Sequence, residues 1–160
     1  MKQFKLYFIG FALALALLGV AAFFAVVGVL PIKGWITQDP SFAPYLYMVP
    51  VALTLFALIG LSLVAAILLG IYTTFLYSRG KVFELPMEKG LNRTGLAFSA
   101  SSLLTFLFGL YLGINLGSSA VFVGSLFFVG LFLLAACLFF LLADVVEKGC
   151  LLQDEHDLTI

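Results

Sequence analysis

The side chains able to do chemistry in this chain are few, and most lie in two charged segments. One begins Ser78-Arg79-Gly80-Lys81-Val82-Phe83 and continues to Arg93 and Gly95; the other runs from Ala143 to Ile160. The first is net basic, with Arg79, Lys81, Lys89 and Arg93 against Glu84 and Glu88. The second is net acidic, with Asp144, Glu147, Asp154, Glu155 and Asp157 against Lys148. Opposite charge on two segments suits docking, to each other or to a partner. It does not suit bond-making. The single histidine, His156, reads as a solvated tail residue. Cys137 and Cys150 make no Cys-x-x-Cys pair and stand beside no histidine cluster, so redox and metal chemistry are not expected. No glycine-rich phosphate loop is present either. The expectation is a non-enzyme with no cofactor. A formal net charge of zero gives no basis for direct nucleic-acid binding.

The elements that hold these segments are apolar. The chain is 64% hydrophobic and 10% charged, far from soluble globular usage. Three runs carry no charge: Leu6–Leu30, Met48–Ser78 and Thr94–Ala143. About 20 helical residues cross a hydrocarbon core of about 30 Å, so the third run must cross twice. This predicts an all-α integral membrane protein, one four-helix bundle with spans near 6–30, 48–78, 94–116 and 120–143. Residues 79–93 then form a loop and 144–160 a tail. The start Met1-Lys2-Gln3-Phe4-Lys5 imitates a signal peptide, but its apolar run extends past a signal core and reads as a retained first span. No span holds an ionisable residue, which a proton-coupled exporter needs. An intramembrane protease would need a Ser–His pair, paired aspartates or a zinc motif, and none is present.

Basic residues orient the bundle. Lys2, Lys5, Arg79, Lys81, Lys89, Arg93 and Lys148 fall on one side and only Lys33 on the other. By the positive-inside rule both termini and the 79–93 loop face the cytoplasm, in a bacterial inner membrane. The outer connection, Pro31 to Tyr47, carries Trp35, Phe42, Tyr45 and Tyr47 and bends at prolines. It reads as an interfacial segment, with a lid over an outward pocket as the alternative. Asn115, near the outer end of span three, reads as a turn cap, with ligand binding as the alternative. Pro86 and Glu88 suit a first helical turn, so span three is expected to start well inside the cytoplasm.

Helices in lipid associate through small residues. Span three offers Ala97, Ser101, Thr105, Gly109, Gly113 and Gly117 at four-residue spacing, and span two offers Ser62, Ala66 and Gly70. Ala21 and Ala25 in span one and Ala120 and Gly124 in span four extend the pattern. These stripes are expected to pack the monomer; a homo-oligomer seam is the less favoured alternative. Asp144 and Lys148 stand four apart in the acid-first order that favours pairing. Gly149 is placed to end the last helix.

Gly80, Lys81 and Phe83, together with Ala143, Asp144, Gly149, Leu152, Glu155, Asp157, Leu158, Thr159 and Ile160, form a pattern. Through it the chain resembles the bacterial membrane family DUF2975, small four-span proteins with a Gly-Lys-x-Phe loop and an Asp-Leu-Thr-Ile-like end. Glu84-Leu85-Pro86-Met87-Glu88 departs from the Ser/Thr cap and Glu-Asn-Val run usual there. The family has no established activity. Its members are often encoded beside a small Cro-like helix-turn-helix regulator, which implies a cytoplasmic partner of that kind.

Two functions follow as expectations. In the first, Arg79, Lys81, Phe83, Glu155, Asp157, Leu158 and Ile160 form one partner-docking surface. In the second, the bundle binds a lipid or small molecule, or serves a transporter, with its site under the Trp35–Tyr47 segment.

Overall fold

The computed structural model describes residues 2–24, 26 and 40–158, and within these the side chains of 9–24, 26 and 43–152. Four α-helices and one 3-10 segment make up the described chain: α1 Lys2–Phe23, the 3-10 segment Pro40–Met48, α2 Val49–Ser78, α3 Leu85–Leu116 and α4 Ser119–Leu158. Three stretches, Ala43–Ser78, Leu85–Leu116 and Ser119–Leu152, are long and apolar enough to cross a membrane. Ile9–Phe23 is a shorter apolar helix. The four-helix count agrees with the sequence. Residues 27–39, with the end of the first expected span, Lys33 and Trp35, lie outside the described residues.

The helices pack in series, α1 on α2, α2 on α3, and α3 most extensively on α4. Their ends explain the sequence of the connections. Gly80 has φ of 77°, and its N–H donates to the Tyr77 carbonyl at 3.1 Å while that of Lys81 donates to Leu76 at 3.2 Å. This double closure captures carbonyls left orphaned by the end of α2, and glycine takes the left-handed backbone without a Cβ clash. Gly117, with φ of 61°, repeats the device after α3: the Ser118 N–H reaches the Gly113 carbonyl at 3.1 Å. The resulting turn is so short that α3 and α4 must run antiparallel. At the start of α3, Glu84 is extended, Pro86 enters the first turn and Glu88 sits at the positive pole of the helix dipole.

One expectation is corrected here. Gly149 does not end the last helix; α4 continues through it to Leu158. The only positive-φ residues described are Gly80 and Gly117, so Gly149 lacks the left-handed turn that a glycine cap requires. The segment from 144 to 158 is helical and continuous with the preceding apolar run. It is the last third of a 40-residue helix.

Small residues make the contacts between helices. Ser101 is fully buried and its Oγ lies 2.7 Å from Ser62 Oγ on α2. A Cβ on Gly109 would collide with the Ser125 side chain of α4, and one on Gly113 would come within 3.0 Å of Phe122 Cβ. The spacing therefore serves two neighbours. Each four-residue step overshoots a full turn by about 40°, so Gly109 is rotated by about 80° from Ser101 and faces α4 instead of α2. Thr105, buried between them, donates to the Ser101 carbonyl at 2.7 Å. On α2, Ala66 is buried and Gly70 faces Leu13 of α1. The span-four part of the pattern is corrected: Ala120 and Gly124 are exposed, and no atom lies near where a Cβ on Gly124 would stand. The α4 residues that meet Gly109 and Gly113 are Ser125 and Phe122, neighbouring positions on the helix.

The buried polar groups Thr73, Thr94, Ser101, Ser102 and Thr105 all have partners, and no described buried side-chain nitrogen or oxygen lacks one. Ser102 bonds across to the Val129 carbonyl of α4 at 3.2 Å. Most others bond back to their own helix, as hydroxyls in apolar helices do.

Candidate functional site

The charged residues whose side chains are described gather at one end of the bundle, where the last turns of α2, the first turns of α3 and the continuation of α4 come together. Leu91, Ala143 and Val146 form a buried cluster there, with Met87, Phe139 and Cys150 packed against it. This end has its own hydrophobic core, which takes in the end of the longest uncharged stretch at Phe139 and Ala143 and continues past it to Val146 and Cys150. It is a compact head, not a frayed terminus.

Phe83 fastens the loop to this head. A Cβ built on Gly149 would overlap the Phe83 ring, so the ring lies directly against the α4 backbone at the one residue there without a side chain. Glycine inside a helix costs about 1 kcal/mol relative to alanine. The seat it provides for an aromatic ring is what offsets that cost.

The remaining loop residues are held locally. The Arg79 guanidinium stands 4.2 Å above the Phe75 ring, and Lys81 Nζ lies 3.1 Å from Glu84 Oε2. On α4, Lys148 Nζ donates to Asp144 Oδ2 at 2.8 Å. That hydrogen bond, followed by the charge of Asp144, raises the Lys148 pKa above the ordinary lysine value. Of the docking residues expected from sequence, the structure brings Phe83 onto α4 and leaves Arg79 and Lys81 exposed beside it. The backbone at Glu155, Asp157 and Leu158 belongs to the last turns of α4. Their side chains, and Ile160 altogether, lie outside the described residues.

A second feature lies toward the opposite end. An apolar cavity of about 540 Å³ is walled by all four helices, through Phe23 of α1 and the adjoining Phe24, Phe56 of α2, Phe108 of α3, and Phe128 and Phe132 of α4. The hydroxyls at its edge, Thr105 and Ser125, donate to carbonyls of their own helices at 2.7 Å. What the cavity offers a guest is hydrocarbon surface. Above it, the Tyr47 hydroxyl donates to Asn115 Oδ1 at 3.1 Å, while Asn115 Nδ2 donates to the Tyr111 carbonyl at 2.8 Å. Asn115 thus caps its own helix and also ties the 3-10 segment to the end of α3.

Sequence reasoning offered a ligand site under the Trp35–Tyr47 segment as its second reading but named none of the cavity's phenylalanine walls, and it missed the role of Gly149. Phe83 and Gly149 were both visible as unusual residues in charged segments, but their mutual contact joins positions far apart in the chain.

Fold and site together define an all-helical protein, with three helices long and apolar enough to cross a membrane, a shorter apolar one, and a packed, charged head at one end. The chain belongs to the family described as "Protein of unknown function (DUF2975)", which it matches over residues 33–160. No curated protein and no solved structure matches it. The matched region takes in the whole head and leaves out α1.

Proposed function

We propose that this is a non-enzymatic, multi-pass protein of the bacterial inner membrane whose charged head docks a cytoplasmic protein. The positive-inside bias supports placing the head in the cytoplasm. The observation that carries the reading is the seating of Phe83 on Gly149. It joins the basic loop to the acidic end of α4, so both charge signs are presented on one packed unit. Exposed Leu151 and Leu152 continue that surface beyond the buried cluster, and Leu158 and Ile160 extend the apolar pattern. The partner proposed is a small helix-turn-helix regulator, held at the membrane through protein contacts, with no direct contact of this chain to nucleic acid. Exposed charge pairs contribute only ~0–1 kcal/mol each, so Leu158 and Ile160 supply most of the affinity and charge steers the approach.

The test is co-purification from detergent with a small helix-turn-helix regulator of the kind encoded beside such family members. Leu158→Ser with Ile160→Ser should abolish capture and leave melting nearly unchanged. Melting that collapses would make these residues part of the internal packing. Capture that persists would remove the docking role.

The apolar cavity favours a second reading, in which the bundle holds a hydrocarbon chain. Its volume lies within the range of ligand pockets, about 300–1,000 Å³. Gly124→Phe would project a ring into it from a position with no neighbour of its own. Loss of co-purifying lipid in that variant, with melting retained, would support this reading.

A further inference from the structure

Five cations of the head have described side chains, and they divide into two groups. Arg79 covers Phe75, Lys81 pairs with Glu84, and Lys148 pairs with Asp144. Lys89 and Arg93 have no carboxylate or ring partner among the described residues, and both line the same pocket between α2 and α3. Glu88, the nearest acid in sequence, is engaged by Asn92 Nδ2 at 3.5 Å, one helical position round from the Lys89–Arg93 face.

This pocket, about 230 Å³, has a distinctive wall. Lys89 and Arg93 stand one turn apart on α3, while Leu69 and Tyr72 of α2 and Leu85 and Pro86 of α3 provide the apolar part. Gly90 lets the helices close behind it, since a Cβ there would press on Thr73 Cγ2 at 2.7 Å and reach the Tyr72 ring at 3.6 Å. Tyr72 is 46% exposed, which leaves its phenol free to meet a guest. The level is informative too. Arg93 is the last charge before the long uncharged run of α3 and α4, so the pocket sits where that run begins. Tyrosine and paired cations suit the headgroup zone.

We propose that Lys89, Arg93 and Tyr72 form a binding site for the phosphodiester headgroup of an anionic glycerophospholipid. The two cations hold the phosphate, the phenol donates to one of its oxygens, and an acyl chain runs from the pocket along the exposed face of α2. The apolar wall is why the ligand is a lipid and not a free phosphate. This site is separate from the docking surface, and it stands or falls independently of the regulator.

The experiment uses the full chain in dodecyl maltoside micelles containing phosphatidylglycerol or phosphatidylcholine at equal mole fraction, with bound lipid counted by native mass spectrometry. The wild type should retain phosphatidylglycerol over phosphatidylcholine by roughly tenfold or more, as two cations at a membrane surface provide. Lys89→Gln with Arg93→Gln should erase that preference. Arg79→Gln with Lys81→Gln, an equal loss of charge on the adjoining loop, should keep it. Leu85→Glu places a carboxylate one turn from Lys89 on the exposed rim, and should also erase the preference if the double variant does not fold. An equal loss in both double variants would reduce the effect to diffuse attraction and overturn the site. A wild type without preference would overturn it directly. Inorganic phosphate raising the melting temperature as far as phosphatidylglycerol does would assign the site to a free anion instead.

Discussion

The Phe83 ring rests on the bare backbone of Gly149, joining the loop after α2 to the continuation of α4. The contact accounts for an aromatic residue in a charged loop and for a glycine inside a long helix. It also makes the head a packed unit.

Either partner of this contact can be removed. Gly149→Ala should displace the ring, and because Phe83 is 48% exposed the ring can swing outward. Alanine regains about 1 kcal/mol of helix propensity, so global melting should change little. Amide exchange at residues 81–84 should rise, and should rise equally in Phe83→Ala. The double variant should exchange no faster than either single one. Additive acceleration would mean that the two residues act separately.

Leucine at Gly109 and at Gly124 should behave oppositely. At Gly109 it meets Ser125, whereas at Gly124 it meets open space. Overpacking typically costs about 1–3 kcal/mol, so detergent melting should fall for Gly109→Leu and hold for Gly124→Leu. Equal melting would place the α3–α4 contact elsewhere.

The Ser62–Ser101 bond sets a coupling. Each hydroxyl also lies within reach of its own helix, at the Ile59 and Ala97 carbonyls. Each has one proton, so one of them donates across the interface and leaves its own carbonyl. Polar bonds between membrane helices average about 0.6 kcal/mol. Ser62→Ala and Ser101→Ala should each cost about that much in a melting experiment, and the double variant little more than either one.

The Lys148–Asp144 pair gives a pH dependence. Because the Lys148 pKa is raised in the folded chain, its stabilising effect is complete below the unfolded lysine value of about 10.4. It is lost as pH rises through the higher folded value. Asp144→Asn should therefore remove an alkaline loosening of α4, read by amide exchange around residue 148, with no new transition at neutral or acid pH.

Orientation is tested with reporter cysteines in a background lacking Cys137 and Cys150. Ser119, exposed in the α3–α4 turn, should react with an impermeant reagent in intact cells once changed to Cys. Glu84, exposed at the head, should not. The reverse pattern would invert the assignment of the head to the cytoplasm. Met87 is unsuited as a reporter because it packs against Leu91, Ala143 and Val146.

Composition and charge spacing carried the all-helical class, the helix count and the early start of α3. Hydrocarbon length, proline position and the helix dipole act locally, and Pro86 and Glu88 announce their helix without any tertiary contact. Four-residue spacing marked Ser101, Thr105, Gly109 and Gly113 as small, but not which neighbour each one meets. That depends on the rotation accumulated along α3 and on where α2 and α4 stand. Gly149 was misleading for a related reason. A glycine near a helix end reads as a cap from sequence, and only the arrival of Phe83 from a distant loop makes it a seat. The placing of Tyr72 across from the Lys89–Arg93 face, and the cavity walls drawn from four helices, belong to tertiary structure alone, because each surface is assembled from helices whose separation in sequence says nothing about their distance in space.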